Sequence, residues 1–404
     1  MELAVKLEHA TGSLTHLSYC TNIHAGESWV EVRNNLTHYV PGIRDAMVND
    51  GEFGIGLRLS AAAVEDLAQP EALTEFIEFL SQNKLYVFTI NGFPYGPFHG
   101  TRVKEDVYLP DWQDTERLRY TNQLADVFAK FLPDDQVGSI STVPGAFKGR
   151  INGPDDVACM ARNLVEHVAH LAVLERETGK VINLALEPEP CCFLETIDEA
   201  VDFFTHHLFG PQATKQLIAA LGVSEEEAQI LLQKHLTLCL DLCHAAVEFE
   251  DPDECLAKLE KAGITVGKLQ ISSGLRLKQV DSETISALKP FDDNVYLHQV
   301  VEQCRGNINR YTDLSEAFAS LGDDTDDREW RVHFHVPIFL DELAHFSSTQ
   351  YFVTQMLDRH KQKPISDHLE VETYTWNVLP DGMRTQSVDQ AIIRELRWVM
   401  DALS

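Results

Sequence analysis

Positive charge is scarce in this sequence: 33 Lys and Arg stand against 63 Asp and Glu, giving a formal charge of −30 and a pI near 4.8. Such an exterior repels nucleic-acid phosphates and anionic membrane surfaces, so a nucleic-acid partner is not expected. No stretch approaches bilayer-spanning length free of charge. The first residues, Met1-Glu2-Leu3-Ala4-Val5-Lys6-Leu7-Glu8-His9, show no basic region ahead of an apolar one. The expectation is a cytoplasmic protein without membrane insertion. Eight cysteines form no Cys-x-x-Cys pair and no zinc-ribbon spacing, and they read as buried reduced thiols. Internal repeats and low-complexity linkers are also missing.

What is present is an alternation. Short apolar runs are each followed by a longer stretch with helical spacing, the pattern of βα units around a parallel sheet. The strand candidates are Leu17–Ile23, Phe53–Leu59, Leu85–Asn91, Val137–Val143, Val181–Glu187, Leu236–Asp241, Val266–Ile271, Val332–Val336 and Leu369–Thr373. Helical patterns lie between them, among them Ser28–Val40, Ala61–Asn83 broken near Pro70, Asp156–Glu177 and Val388–Leu403. The fold class this predicts is an α/β (β/α)₈ TIM barrel, a single domain over residues 1–404. Nine candidates exceed eight strands, so one of the last three is an extra element. An insertion near the catalytic face is expected over roughly residues 275–330, with a hairpin around Val295–Val301 and Ile308–Asp313.

In such a barrel the chemistry sits where strands end, so polar residues at the C-terminal tips are the candidates. The fifth run closes on Glu187, a carboxylate whose desolvation calls for a partner or a metal. The sixth gives Asp241 with His244 three positions on. His333 and His335 stand at i and i+2, which a strand points to one face, and Glu370 and Glu372 repeat that spacing, with Glu372 nearer the strand end. Singly, each has a structural explanation as a cap, a hydrogen-bonded core histidine or a solvated strand residue. Together they form a mixed O/N set suited to one divalent ion: Mn²⁺, Mg²⁺, Zn²⁺ or Fe²⁺. Asn22, His24, Arg58, Asn91 and His99 lie at or beyond the first strand tips and are the candidate substrate-binding residues. Arg58 needs an anion opposite it, either a carboxylate of the protein or a substrate group.

The order Glu187, Asp241-Leu242-Cys243-His244, His333-Phe334-His335, Val371-Glu372-Thr373 resembles the metal-ligand order of the xylose isomerase-like superfamily, which includes endonuclease IV and sugar-phosphate isomerases and epimerases. That superfamily commonly has a histidine where Lys268-Leu269-Gln270-Ile271 places Gln270. An amide oxygen suits a hard cation and is a poor zinc ligand, which counts against a three-zinc nuclease. Longer stretches are similar to the EboE family of metabolite traffic proteins: Tyr19-Cys20-Thr21-Asn22-Ile23-His24-Ala25-Gly26-Glu27-Ser28-Trp29, Thr89-Ile90-Asn91-Gly92-Phe93-Pro94-Tyr95-Gly96-Pro97-Phe98-His99-Gly100, and His368-Leu369-Glu370-Val371-Glu372-Thr373-Tyr374-Thr375-Trp376. This resemblance implies an ebo operon concerned with secondary-metabolite export or processing, with other ebo-operon proteins as partners, and supplies no reaction.

The site suggests a metal-dependent isomerase or epimerase acting on a small hydroxy-carbonyl molecule. Glu187 and Glu372 are the acid/base candidates, and the resemblance to epimerases places His244 on a substrate hydroxyl. Two alternatives stand beside it: metal-assisted hydrolysis with two or more ions, and a non-catalytic small-molecule binding protein in metabolite export.

Overall fold

The computed structural model describes residues 5–8, 14–99, 103–292, 295–322, 327–343, 345–379 and 386–404. Eight strands run parallel: β1 (Leu14–Tyr19), β2 (Phe53–Arg58), β3 (Leu85–Asn91), β4 (Gly138–Thr142), β5 (Ile182–Leu186), β6 (Leu236–Asp241), β7 (Val266–Ile271) and β8 (His368–Val371). From β2 to β8 every residue of these strands is buried, so they read as apolar runs rather than as alternating ones. The ladder runs from β2 through β3 to β8 in sequence order and then to β1. The sheet curls until β1 approaches β2. There Cys20 bridges Gly56, and the Ser18 hydroxyl donates to Gly54 O (2.8 Å) and accepts from Gly56 N (3.0 Å). Lower down, the short strand Lys6–Glu8 pairs antiparallel with β1.

Helices fill the connections. The expected break at Pro70 separates Ala61–Leu67 from Pro70–Gln82, with Pro70 opening the second helix. Pro154–Thr178 is the one helix among the described residues long and apolar enough for a membrane span, and much of its apolar surface is buried in the fold.

Between β7 and β8 the chain builds a second, antiparallel sheet of six strands, ordered Asn307–Tyr311, Val300–Cys304, Arg328–Val332, Leu275–Leu277, Phe346–Ser348, Glu342–Leu343. A hairpin stands near the expected one, but its strands are Val300–Cys304 and Asn307–Tyr311 rather than Val295–Val301 and Ile308–Asp313, turned by Arg305 (φ 50°) and Gly306 (φ 80°), the two left-handed positions of a tight β-turn. The ninth strand candidate is corrected by this sheet. Val332–Val336 is not a barrel strand: pairing ends at Val332, and residues 333–337 run on without a ladder, tied by Val336 N to Ser273 O (2.8 Å). Pro337 has no N–H to extend a ladder.

Inside the parallel array, Lys268 of β7 and Glu370 of β8 form a fully buried ion pair, and the Lys268 ammonium also donates to Ser141 Oγ (3.3 Å). Gly56 makes room for it: a Cβ there would stand 1.6 Å from Glu370 Oε1 and 2.9 Å from Tyr19 O. Gly56→Ala should therefore lower stability by roughly 3 kcal/mol or more in urea unfolding, because the carboxylate must leave its lysine. Gly42→Ala, in the exposed interior of helix Trp29–Met47 with nothing within 4 Å of the new methyl, should instead raise it by ~0.5–1 kcal/mol.

Glu395, on the C-terminal helix Val388–Leu403, accepts from Thr373 Oγ1 (2.7 Å) and Ile338 N (3.1 Å) and so ties residues on either side of the site. Burial pushes its carboxyl up from 4.5 to about 7, the two donors acting in the opposite direction. The unfolded chain releases this proton near 4.5 and the folded chain near 7, so the folded state binds more protons between those values. Stability is then full below 4.5 and falls as pH rises to about 7, by on the order of 3 kcal/mol. Gln in its place keeps the accepting oxygen. Glu395→Gln should flatten this part of the stability-versus-pH curve; an unchanged slope in denaturation between pH 4.5 and 7 would refute the assignment.

Candidate metal centre and its pocket

Strand ends deliver the first donors. Glu187 follows β5, Asp241 closes β6, Gln270 lies one residue from the end of β7, and Glu372 follows β8. Backbone bonds from Glu187 N to Thr142 O (3.1 Å) and from Glu372 N to Ile271 O (3.0 Å) hold two of them against the neighbouring strands. Glu187, Asp241 and Glu372 each present an oxygen within 4.8 Å of the others, all buried. At an effective dielectric of about 20, like charges so placed repel by about 3–4 kcal/mol per pair. Three such pairs rival the whole stability of a domain. Glu187 records this: burial first, then Glu372 and Asp241, push its carboxyl well above the usual range.

The second sheet delivers the imidazoles. His335 Nδ1 donates to Glu372 O (3.0 Å), and its Nε2 groups with Asp241 and His244. Asp241 also caps the short helix Leu242–Val247, with Oδ1 accepting from His244 N (2.9 Å) and Ser272 Oγ (2.7 Å). Glu372 Oε1 accepts from Asn22 Nδ2 (2.7 Å) and Asn91 Nδ2 (3.1 Å). After these bonds, Glu187 Oε2, Asp241 Oδ2, Gln270 Oε1 and His335 Nε2 remain buried without a hydrogen-bond partner. One orphaned ligand atom from each of four neighbouring segments is what a metal site needs, and mostly oxygen donors suit a hard divalent cation.

His333 groups with Glu189 and His244, and also with Cys243 and His335. Its Nδ1 faces Gln299 Oε1 (2.8 Å); the Gln299 amide is oriented by Nε2 donating to Glu189 Oε1 (3.2 Å), Pro190 O (3.3 Å) and the Tyr108 hydroxyl (3.0 Å). Tyr108 in turn donates to Glu189 Oε1 (2.7 Å). His244 Nδ1 donates to Pro188 O (2.8 Å). Both rings thus carry their proton on Nδ1, and the two Nε2 lone pairs meet at 3.0 Å. A cation, either a proton or a metal ion, has to lie between them. Burial, then His244, holds His333 well below the ordinary imidazole range.

A cavity with an empty volume, mouth included, of about 540 Å³ opens over both groups. Asn22, Asn91, Glu187, His244, His333 and Glu372 line it. His24, Arg58 and His99 are not on its wall. His24 stacks on Tyr39 (4.1 Å) and contacts the Tyr19 hydroxyl (3.2 Å). Arg58 pairs with Glu27 (2.8 Å) and donates to Gly26 O and Gly96 O, so a carboxylate of the protein answers it. His99 packs edge-on against Phe98, and burial, then Arg58, brings its imidazole down to about 4. Glu189, Tyr108 and Gln299 belong to this cluster and were not singled out by the sequence analysis. Glu187-Pro188-Glu189 repeated the i, i+2 carboxylate spacing and could have flagged Glu189; Tyr108, closing the short 3-10 helix Lys104–Tyr108, and Gln299, in a loop, carried no signal.

No protein-family model matches the chain, and a search of curated proteins finds no match. Solved structures do resemble it. A xylose isomerase-like TIM barrel protein from Mycobacterium smegmatis in complex with magnesium superposes with a TM-score of 0.51 at 12% identity, covering 98% of each chain. The IolI protein with a bound zinc atom gives 0.46 at 13% identity, covering 96% of this chain and 98% of its own. The probable 3-DHS dehydratase AsbF of Bacillus anthracis gives 0.45 at 12%, covering 94% and 97%. At these identities the likeness concerns the fold alone, and the Mycobacterium smegmatis protein carries it: this chain is an α/β protein whose curled parallel sheet resembles that of a xylose isomerase-like TIM barrel protein.

Proposed function

We propose that this chain is a divalent-metal-dependent isomerase or epimerase of the EboE kind, with a closed (β/α)₈ barrel, acting on a small polyhydroxylated or secondary-metabolite precursor. The observation that carries the reading is the set of four orphaned buried ligand atoms on Glu187, Asp241, Gln270 and His335 beside the Glu372 carboxylate. These residues would hold one hard cation, Mg²⁺ or Mn²⁺ ahead of Zn²⁺ given the oxygen donors. Bound there, the ion would supply Lewis-acid stabilisation of negative charge on vicinal substrate oxygens.

The protein's own groups supply the rest. Glu187 and Glu372 are the carboxylates that take and return a proton at the carbon next to a carbonyl. Asn22 and Asn91 fix the Glu372 carboxylate by donating to its Oε1. His244, aligned by Pro188 O, faces the cavity where a substrate hydroxyl would bind. On the same reading the protein works in the cytoplasm on a small molecule, alongside other ebo-operon products.

A second reading has one observation in its favour. If the cation between His244 and His333 is a second metal ion, with Glu189 as its third ligand, the site becomes a two-metal centre suited to hydrolysis of an ester or phosphodiester. Elemental analysis of protein purified without chelator separates the two. One ion per chain, lost in Glu187→Gln/Glu372→Gln and retained in His333→Phe, is the expected result. Two ions, one of them lost in His333→Phe, would transfer the assignment to hydrolysis. Absence of bound metal after reconstitution with Mg²⁺, Mn²⁺ and Zn²⁺ would leave a binding module without chemistry. In the carboxylate variant, metal affinity should drop by more than the ~10–100-fold that an outer-shell change costs, with the far-ultraviolet circular dichroism of the fold unchanged.

A further inference from the structure

The cavity has an acidic floor and an aromatic mouth. Phe98, Tyr296 and Tyr374 come from three separate connections, and their ring centroids stand 5.2–5.3 Å from one another. Phe98, Val103 and Tyr296 form an apolar cluster apart from the main core, with Tyr374 packed against it. Tyr374 also lies 4.7 Å from the His335 ring, so the aromatic mouth meets the metal ligands directly. Apolar side chains gathered away from the core contribute little to the fold and much to the wall of a pocket.

Positive charge is missing from that wall. Among the described residues Lys104 is the one cationic side chain lining it, and Asp313 engages its ammonium at 2.5 Å. Nearby cations are committed too: Arg58 to Glu27, Arg310 to Glu248 and Glu195, and Lys148 to Glu195 and Glu199. Glu187, Glu189, Asp241 and Glu372 bring four carboxylates to the cavity floor. A phosphate dianion entering this space would meet like charge without a guanidinium or ammonium to receive it, which is costly when buried.

We infer that the substrate of this site is an unphosphorylated hydroxy-carbonyl compound bearing a ring, whose face rests on Phe98, Tyr296 and Tyr374 while its vicinal oxygens point to the carboxylate floor. This rests on the metal-centred reading proposed above. It separates the site from one for sugar phosphates and makes the three rings the residues that set specificity. Rigid aromatic surfaces suit a planar or cyclic partner because stacking loses little side-chain entropy.

Three hydroxamates with the same metal-chelating head and different tails test it: benzohydroxamate, acetohydroxamate and phosphoglycolohydroxamate. Each is titrated calorimetrically into full-length protein whose Mg²⁺ or Mn²⁺ content has been counted. Benzohydroxamate should bind about tenfold more tightly than acetohydroxamate, and phosphoglycolohydroxamate more weakly than either. Phe98→Ala and Tyr296→Ala should bring benzohydroxamate to within about twofold of acetohydroxamate and leave acetohydroxamate binding unchanged. Should the alanine variants misfold, Tyr296→Leu keeps the apolar bulk without the ring, and the order of tails on the unaltered protein decides the matter by itself. Tightest binding of the phosphate tail, or equal binding of the methyl and phenyl tails, overturns the inference and leaves the metal reading standing. Failure of all three to bind metal-loaded protein overturns the inference, whereas a metal count of zero overturns the metal reading and the inference with it.

Discussion

Repulsion among buried carboxylates sets the terms for this structure. Glu187, Asp241 and Glu372 are brought together by strands whose places are fixed by apolar packing, not by anything the carboxylates gain from one another. The fold therefore carries a cost that has to be offset locally. Two means of offset are visible: hydrogen-bond donors on Glu372 and Asp241, and open ligand atoms for a cation. Donors alone are too few, since each carboxylate keeps a nearby like charge. Strain of this kind at strand ends is where function departs from folding logic.

The Lys268–Glu370 pair one layer below belongs to the same balance. Lys268 is two residues before Gln270 and Glu370 two before Glu372, so on each strand the pair points to the same side as the site residue above it. Burial opposes the charge on Lys268, and Glu370 ahead of the other neighbours restores it. Its ammonium also lowers the Glu187 carboxyl, against the larger effects that raise it. A buried pair seldom adds net stability. Here it sets a fixed positive charge beneath an acidic cluster, and Gly56 is the space the backbone leaves for it.

Legibility in the sequence followed burial. Leu85–Asn91, Leu236–Asp241 and Val266–Ile271 were readable to the residue because strands covered on both faces are continuous apolar runs. The first strand was read three residues late, since Thr15 and His16 look like loop residues although both are buried, His16 against Tyr86 and Thr15 against His360. The helix Pro211–Leu221 was not read, although its apolar residues Ala213, Leu217 and Leu221 have helical spacing. Glu187, Asp241 and Glu372 were visible as polar ends of apolar runs. His333 and His335 were visible as a pair, but their attachment to an inserted antiparallel sheet was not, because alternation cannot distinguish a barrel strand from an extended tail. Gln299 and Tyr108 act through contacts made across 191 positions of sequence, which no local pattern encodes.

The inserted sheet is what turns a common scaffold into a particular site. Without residues 275–348 the barrel would end in carboxylates, an amide and two asparagines, open at the top. The residues between β7 and β8 bring His333 and His335 beside the carboxylates, Gln299 to Glu189, and Tyr296 to the mouth. Its docking onto the barrel uses charge rather than apolar area alone: Arg310 holds Glu248, and Arg331 donates to Ala246 O (2.6 Å) while covering the Phe249 ring at 3.7 Å. Those contacts converge on the helix Leu242–Val247 and the residues just after it, the same segment that Asp241 caps and that carries His244. Insertion, cap and metal ligands thus share one short helix, so a shift of the inserted sheet would be felt first at the imidazoles.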